Sequence, residues 1–233
     1  MQVQEKRVDL WRDEYHRKGI PSSFRTNPSG SVELFVNLLE TRGVVSGHAL
    51  DIGCGTGRNS LYLAFRGFRV SAMDFVPEMV DTLRLASEEQ GFSDRIMPHC
   101  HDVAQPWPLK PNTFDLAVDA FCYKHQIAEA AKNNYRNELK RVLKPNGYYM
   151  LTLAGSDDGY YGPFLSSSPD PARRVIVDPA NEIQSILYSK EDVLAEFSPD
   201  FELRDYKHKQ KQSEMHGEMY DRSTHLFIFT RKQ

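Results

Sequence analysis

The chain has 233 residues, 40% of them hydrophobic, and a formal net charge of −3, so it can bury the core of one substantial domain. The slightly acidic balance argues against a nucleic-acid or anionic membrane surface, no apolar run is long enough to span a bilayer, and the charged start, MQVQEKRVDLWRDEYHRKG, lacks the apolar core of a signal peptide. Three cysteines without framework spacing suit a reducing compartment, and we therefore expect a cytoplasmic monomer or homodimer that binds neither nucleic acid nor membrane.

The middle of the chain alternates strand-like and helix-like segments. Strands are predicted at 49–52, 68–73, 96–101, 113–120 and 148–153, and helices at 59–66, 78–89 and 128–143. Pro77 suits the first turn of the second of these helices, and the turn Pro145–Asn146–Gly147 ends the third. Strands separated by helices at this spacing predict an α/β fold, a doubly wound parallel sheet with helices on both faces.

Two regions lie outside this alternation. Residues 1–45, charged and helical at first and loop-like afterwards, are predicted to form an N-terminal cap on a core at 46–154. Residues 155–188 have no clear period, and a loop of that length in a compact domain is usually a lid or a binding loop. We expect both regions to belong to the same single domain as the core.

The C-terminal part, 189–233, is predicted to form a helix at 189–197 and two strands at 201–207 and 225–230. The short basic run KHKQK at 207–211 is interpreted as a solvated face, as such runs usually are. No repeat or low-complexity tract interrupts the chain.

The stretch ALDIGCGTGRNS, at 49–60, has three glycines directly behind the first predicted strand. A glycine turn that leads from the first strand of a doubly wound sheet into a helix is where ligands bind. Gly53 and Gly55 allow a tight turn and close approach to the backbone, and Gly57 opens the helix. The GxGxG spacing differs from the GxGxxG dinucleotide pattern, and Asp51 ahead of it suits an ammonium group better than a phosphate.

Acidic residues follow the next two predicted strands. Asp74 ends the second strand, where a carboxylate can accept both ribose hydroxyls of an NAD or an adenosyl ligand. Asp102 ends the third strand, where it suits an adenine amino group, with Val103 as an apolar wall. Each aspartate alone could be a strand-end turn or a helix cap, but together with the glycine turn they predict a nucleoside site.

Five segments resemble, in the right order, the motifs of class I S-adenosylmethionine-dependent methyltransferases: ALDIGCGTG, MDFVPEM, HDV, TFDLAVDAF and LKRVLKPNGYYMLTL, over residues 47–154. The resemblance implies a Rossmann-like sheet of seven strands with an antiparallel last strand, S-adenosylmethionine as the cofactor and a small-molecule methyl acceptor. It implies cofactor contacts from Asp51, Gly53, Gly55 and Gly57 at the methionine end, Asp74 at the ribose, Phe75, Met79, Asp102 and Val103 at the adenine, and Asp119 and Ala120 near the sulfonium.

The tail has a weaker resemblance to methyltransferases of the tellurite-resistance and thiol type. It is carried by YSKEDVLAEFSPDFELRDY and HGEMYDRSTHLFIFTRK. In those enzymes aromatic residues and a histidine from the last two strands face the active site. His225 stands at the corresponding place, but Leu226 follows where those enzymes often carry tryptophan.

Methyl transfer from a sulfonium mainly needs alignment and exclusion of water, because the positive charge already activates the donor. A base is therefore optional. The candidates for orienting or deprotonating the acceptor are His125, His225 and Tyr15. The candidates for binding the acceptor are Arg25, Phe121, Tyr160 and Tyr161. Each of these side chains has an ordinary alternative in core packing or on the surface.

Three alternatives to a small-molecule methyltransferase remain: a protein or peptide methyltransferase, an NAD-dependent dehydrogenase, and a non-catalytic adenosyl-binding regulator. The GxGxG spacing, Asp51 and Asp102 disfavour the dehydrogenase, the predicted lid disfavours the regulator, and the sequence does not exclude a protein acceptor. The (N/D)PP(Y/F) signature of many amino-methylating nucleic-acid enzymes is absent at DAFCY. No metal is expected at HCHD, 99–102, because neighbouring side chains of a strand point to opposite faces.

Overall fold

A computed structural model describes residues 2–233. Its strands in chain order are β1 (Gly47–Ile52), β2 (Phe68–Asp74), β3 (Ile96–Cys100), β4 (Phe114–Ala120), β5 (Leu143–Ala154), β6 (Val175–Val177), β7 (Gln184–Ile186), β8 (Phe201–Met215) and β9 (Glu218–Arg231). Seven of them form one sheet in the spatial order β3-β2-β1-β4-β5-β9-β8. Strands β1 to β5 pair in parallel, and β9 is antiparallel to both of its neighbours. The predicted Rossmann-like sheet is confirmed.

The helices are α1 (Gln2–Arg17), α2 (Pro21–Phe24), α3 (Gly30–Thr41), α4 (Arg58–Phe65), α5 (Pro77–Glu89), α6 (Glu129–Val142) and α7 (Lys190–Phe197). Side chains of α3, α4 and α5 pack on one face of the sheet, and those of α6 and α7 pack on the other. No helix formed by the described residues combines the length and apolarity that crossing a bilayer requires.

The N-terminal cap is shorter than the predicted 1–45. Val32, Phe35, Val36 and Leu39 of α3 are fully buried against the sheet, so this helix belongs to the core. Their spacing is that of one face of an amphipathic helix. Only α1 and α2 remain as a cover at the carboxyl edge of the sheet.

The segment 155–188 is folded rather than an open loop. It contains two 3₁₀ helices, Gly162–Ser167 and Pro171–Arg173, and the antiparallel pair β6 and β7. Its buried apolar side chains form a cluster with residues from the chain before α2 and from the end of β8: Ile20, Tyr160, Tyr161, Ile176, Leu187 and Met215. This cluster fixes the segment to the N-terminal cover and to the C-terminal hairpin.

The hairpin of β8 and β9 extends far beyond the two short strands predicted from the sequence. The strands have 15 and 14 residues and are joined by His216 and Gly217, whose φ angles are 50° and 84°. Two positive φ values in a two-residue connection characterise the type I′ turn, whose twist matches that of paired strands. The outer half of the hairpin is polar and largely exposed, so it carries little of the hydrophobic signal that identifies strands.

Buried Glu14 holds α1 in place. Its Oε1 accepts the backbone N–H groups of Gly19 and Ile20 at 2.9 and 2.8 Å and the hydroxyl of Ser23 at 3.1 Å. Its Oε2 accepts the side-chain amide of Asn181 at 3.0 Å. One carboxylate therefore joins α1 to α2 and to the segment 155–188.

Candidate active site

A cavity lies at the carboxyl ends of β1, β2 and β4, where the strand order reverses. About 950 Å³ of space free of protein atoms, open solvent included, lies between its walls. The site residues predicted from the sequence that line it are Tyr15, Gly53, Asp74, Phe75, Asp102, Val103, Ala120, Phe121, His125 and Tyr161. The fold thus brings together residues from six separate parts of the chain.

The glycine turn forms the floor of this cavity. Gly53, Gly55 and Gly57 have φ angles of 71°, 55° and 87°, a region that side chains disfavour. A Cβ at Gly55 would overlap the hydroxyl of Tyr15, and one at Gly57 would overlap Leu83. Gly55 therefore leaves room for the side chain of Tyr15, and Gly57 leaves room for that of Leu83. Gly53 itself forms part of the cavity wall.

Asp74 is held by backbone groups and still lines the cavity. Its Oδ2 accepts the N–H of Gly55 at 2.8 Å and its Oδ1 accepts the N–H of Val76 at 3.0 Å. Burial raises the pKa of this carboxyl above its ordinary value. A carboxylate has about four lone-pair sites, so two remain for hydroxyl groups of a ligand.

Next to Asp74, helix α1 closes the part of the cavity that Asp102 lines. Asp102 accepts the N–H of Ala104 at 2.9 Å and an Nη1 hydrogen of Arg7 at 3.1 Å. The guanidinium of Arg7 also lies 5.1 Å from the centre of the Phe75 ring. Arg7 was not among the predicted residues, and it covers the side where the resemblance locates the adenine.

Three predicted cofactor residues lie behind the wall. Asp51 is buried and accepts the hydroxyl of Ser60 at 2.6 Å, and burial raises its pKa to about 6. Asp119 accepts the N–H groups of Cys122 and Tyr123 and the hydroxyl of Tyr135 at 2.7, 2.9 and 2.6 Å, and burial raises its pKa to about 7. Asp119 therefore holds the turn after β4 instead of lining the cavity.

Met79 is the third of these residues. It is buried on α5 and does not reach the cavity wall. It lies in the first turn of the helix that follows Phe75, which does line the cavity.

His125 also lines the cavity, in a 3₁₀ helix at Tyr123–His125. Its Nδ1 is 2.8 Å from the carbonyl oxygen of Gln184, which can only accept, so Nδ1 carries the hydrogen. The indole of Trp11 packs edge-on at 4.9 Å. Burial, with the charge of Lys124, lowers the pKa of His125 well below its ordinary value. The ring is therefore neutral, and its Nε2 has a free lone pair and no hydrogen-bond partner among residues 5–233.

The structure does not bring His225 to this cavity. The ring of His225 stacks on His208 at 4.8 Å, and its Nδ1 is 2.8 Å from the Tyr206 hydroxyl. Because alternate residues of a strand face opposite sides, Arg222 of β9 points to the cavity and His225 points away. The predicted convergence of the two histidines is wrong.

His225 instead belongs to a cluster with Asp157 and His208, whose nearest ligand atoms all lie within 4.8 Å of one another. The two imidazole planes are only 18° from parallel. Stacked rings direct their nitrogen lone pairs along parallel planes, so they do not converge on one ion. We assign no metal to this cluster.

Two of the other predicted acceptor residues also lie elsewhere. Tyr160 donates its hydroxyl to Asp178 at 2.8 Å and packs in the cluster around Ile20, while its neighbour Tyr161 lines the cavity. Arg25 donates to the hydroxyl of Ser213 at 3.2 Å and lines a second, adjoining cavity.

Four cations line the cavity that sequence reasoning missed: Arg7, Arg58 and two buried ones, Lys124 and Arg222. Lys124 is only 2% exposed, its Nζ lies 4.0 Å from the centre of the Tyr161 ring, and it has no hydrogen bond within residues 5–233. Burial, with Arg222 nearby, lowers its pKa to about 7. Arg222 lies 5.0 Å from the same ring, and its Nε donates to both oxygens of buried Asp158 at 2.9 and 2.8 Å. No motif in a single sequence marks such cations as buried.

Residues 49–147 match a family model described as a methyltransferase domain. A sterol 4-C-methyltransferase of Caenorhabditis elegans is 33% identical over 107 residues, 45% of this chain and 30% of that protein. An uncharacterized methyltransferase of Mycobacterium tuberculosis is 31% identical over 129 residues, 53% of this chain and 49% of that protein. The chain thus matches less than half the length of either relative.

Solved structures extend the similarity over most of the chain. An S-adenosylmethionine-dependent methyltransferase of Methanosarcina mazei aligns with a TM-score of 0.71 and 18% identity, over 84% of this chain and 97% of that one. The 1,6-didemethyltoxoflavin-N1-methyltransferase of Burkholderia thailandensis, solved with its substrate and S-adenosylhomocysteine, aligns with a TM-score of 0.69 and 18% identity, over 99% and 90%. At this identity the similarity establishes the fold.

Proposed function

We propose that this chain, which residues 49–147 identify as a member of the class I S-adenosylmethionine-dependent methyltransferases, transfers a methyl group to a small molecule. One observation supports this most strongly. The wall of a single cavity holds two buried carboxylates, Asp74 and Asp102, and a neutral histidine, His125, with a free Nε2. Such a cavity suits a nucleoside next to a proton-bearing acceptor.

The residues present fit the cofactor. Asp74 would accept the ribose hydroxyls, Phe75 and Val103 would enclose the adenine, and Asp102 would accept at its edge. The turn at Gly53 would leave the backbone accessible to the methionine part, and the carboxylate of Asp51, buried behind this turn on the hydroxyl of Ser60, would add negative charge near the ammonium group. S-adenosylmethionine supplies an electrophilic methyl group on a positively charged sulfur.

The protein's own part is to orient the acceptor and to receive its proton. As the acceptor atom bonds to the methyl carbon and the carbon–sulfur bond breaks with its electron pair on sulfur, Nε2 of His125 would take the proton that the acceptor atom loses, while Nδ1–H stays on the carbonyl of Gln184. Trp11 and Tyr161 exclude water from this end of the cavity. Tyr15, beside the glycine turn, fixes the position of the donor end.

The enclosure favours a small acceptor over a protein segment. The cover α1 and the segment 155–188, which we propose to be a lid, both pack over the carboxyl edge and are tied together by Glu14. By their names, the sterol and toxoflavin methyltransferases that resemble this chain act on small molecules. We therefore propose a small-molecule acceptor, with a protein or peptide acceptor as the alternative.

Ligand binding tests the cofactor assignment directly. We expect the purified protein to bind S-adenosylmethionine and S-adenosylhomocysteine in calorimetric titrations and to bind NADH poorly. The reason is the GxGxG turn, which lacks the helix N-terminal phosphate site of the dinucleotide pattern. Tighter binding of NADH than of the adenosyl compounds would contradict the proposed function.

The variant Asp74→Ala tests the ribose contact. A hydrogen bond to a charged group is worth about 1.5–3 kcal/mol, so we expect S-adenosylhomocysteine to bind about 10- to 100-fold more weakly. Calorimetry measures this loss, and Asp74→Asn keeps an acceptor for Val76 if the alanine variant folds poorly. Asp81→Ala, on the exposed side of α5, is the matched control. Unchanged affinity in folded Asp74→Ala would locate the ribose elsewhere.

A further inference from the structure

A second cavity adjoins the first and is lined by basic groups. The two share Pro21, Arg58, Phe121 and Arg222 on their walls. The cationic side chains on the wall of the second cavity are Arg25, Arg58, Lys209, Lys211 and Arg222, and its lining contains no aspartate or glutamate. The basic run at 207–211, interpreted from the sequence as a solvated face, thus contributes two of these cations.

Most of these cations have no anionic partner. Arg25 donates to a hydroxyl, that of Ser213 at 3.2 Å, and Arg58 donates to the carbonyl of Asn27 at 3.3 Å. Within residues 5–233 neither Lys209 nor Lys211 forms a salt bridge. Burial lowers the pKa of Lys209, and the like charge of Lys211 lowers it further. Four cations thus crowd one another without a carboxylate to neutralise them.

The wall also has two neutral features that bear on an anion. The hydroxyl oxygen of Thr152, on β5, is buried and has no hydrogen-bond partner, although Thr152 is only 2% exposed and lines this cavity. Ser29, Gly30 and Ser31 on the same wall form the start of α3, a helix of 12 residues. The hydroxyl of Ser29 already accepts the N–H of Ser31 at 3.4 Å, and Glu33 lies in the first turn, so this helix start adds little, and the unpartnered hydroxyl of Thr152 is the feature that points to a ligand.

We propose that the second cavity binds a phosphate group carried by the methyl acceptor, so that the substrate is a phosphorylated small molecule. This inference rests on the proposed function. The phosphate lies among Arg25, Lys209 and Lys211, while the rest of the molecule passes Phe121 into the first cavity toward His125. Guanidinium forks match phosphate oxygens in pairs, and several unpaired cations suit a dianion better than one carboxylate.

Inorganic pyrophosphate is the probe for this cavity. We expect it to bind, in calorimetric titrations at low ionic strength, to the full chain saturated with S-adenosylhomocysteine, and to bind more weakly as salt is added. The double variant Lys209→Gln, Lys211→Gln should weaken this binding about tenfold or more, because it removes both charges that would donate hydrogen bonds from these side chains to the pyrophosphate oxygens. The control Lys110→Gln removes an exposed charge outside both cavities and should leave the binding unchanged.

Three results would overturn the inference. They are no binding of pyrophosphate to the wild type, equal binding to the double variant, and displacement of pyrophosphate by S-adenosylhomocysteine, which would assign these cations to the carboxylate of the cofactor. A failure of S-adenosylhomocysteine itself to bind would count against the proposed function instead. Among acceptors that turn over, the phosphorylated compound should exceed its dephosphorylated counterpart at least tenfold in kcat/KM, and the reverse order would also overturn the inference.

Discussion

Replacing His125 with alanine is expected to lower kcat by about 10²–10⁴-fold, the usual contribution of a general acid–base group. The variant loses the Nε2 lone pair that we propose receives the acceptor proton, whereas Asp74 and Asp102, the proposed adenosyl contacts, are untouched. Affinity for S-adenosylhomocysteine should therefore stay nearly unchanged. Steady-state kinetics with an acceptor found by screening and calorimetry with the product cofactor measure the two effects separately.

His225→Ala is the matched control for this experiment. The sequence suggests both histidines for the same role, but the structure leaves His225 outside the cavity, so its removal should leave kcat close to that of the wild type. Full turnover in His125→Ala would show that alignment alone drives the reaction.

The pH dependence of the wild type gives an independent measure of His125. Burial lowers its pKa well below the ordinary value of about 6.5. Protonation removes the lone pair only below that lowered pKa. As the pH decreases, kcat/KM should therefore fall at a lower pH than it would if the base were an exposed histidine. This acid limb should be lost in the residual activity of His125→Ala.

Asp158→Ala is expected to lower the free energy of unfolding by about 3–5 kcal/mol, as the loss of one partner of a buried ion pair does. Asp158 is 1% exposed and pairs with Arg222, which is also buried. It also accepts the N–H groups of Tyr160, Tyr161 and Ser223 at 3.1, 2.9 and 3.0 Å. Its loss leaves a buried guanidinium and three backbone donors without their acceptor.

Urea denaturation measures this loss as a lower midpoint with an unchanged slope. Asp221→Ala, an exposed aspartate next to Arg222, should leave the midpoint nearly unchanged. Adding Arg222→Met to Asp158→Ala removes the unpaired charge and should recover part of the loss. A midpoint in Asp158→Ala equal to that of the wild type would show that the pair does not stabilise the fold.

Strands β1 to β4 could be predicted to within two residues at either end because each is a mostly apolar run bounded by glycine, proline or charge. Strand β5, predicted at 148–153, begins earlier, at Leu143, so the turn predicted at 145–147 lies within the strand. Strand β2, predicted at 68–73, ends one residue later, at Asp74. Helix α3 and the outer hairpin were missed for different reasons. The apolar stripe of α3 follows a glycine- and proline-rich stretch that suggests a loop. The outer hairpin is mostly polar, and its buried residue near the tip, Met215, packs against distant parts of the chain, which a single sequence does not show.

In the candidate site, too, some residues could be predicted from the sequence and others could not. Residues next to strand ends, such as Asp74 and Asp102, could be located because the fold class determines where those ends meet. The acceptor end depends on contacts between distant parts of the chain. Arg7 reaches Asp102 across 95 positions, and the choice between Arg222 and His225 depends on which side of β9 each residue faces. A single sequence shows neither this long-range contact nor the side of β9 that a residue faces.

The hydrogen bonds of Glu14 have a consequence for the timing of each catalytic cycle. One carboxylate joins α1 and the chain around Ile20 to Asn181 of the segment 155–188, which we propose to be a lid. We therefore expect α1 and this segment to open together, so that the cofactor site and the acceptor site share one opening event. On this expectation the product cofactor and the methylated acceptor are released in a concerted rather than a sequential way.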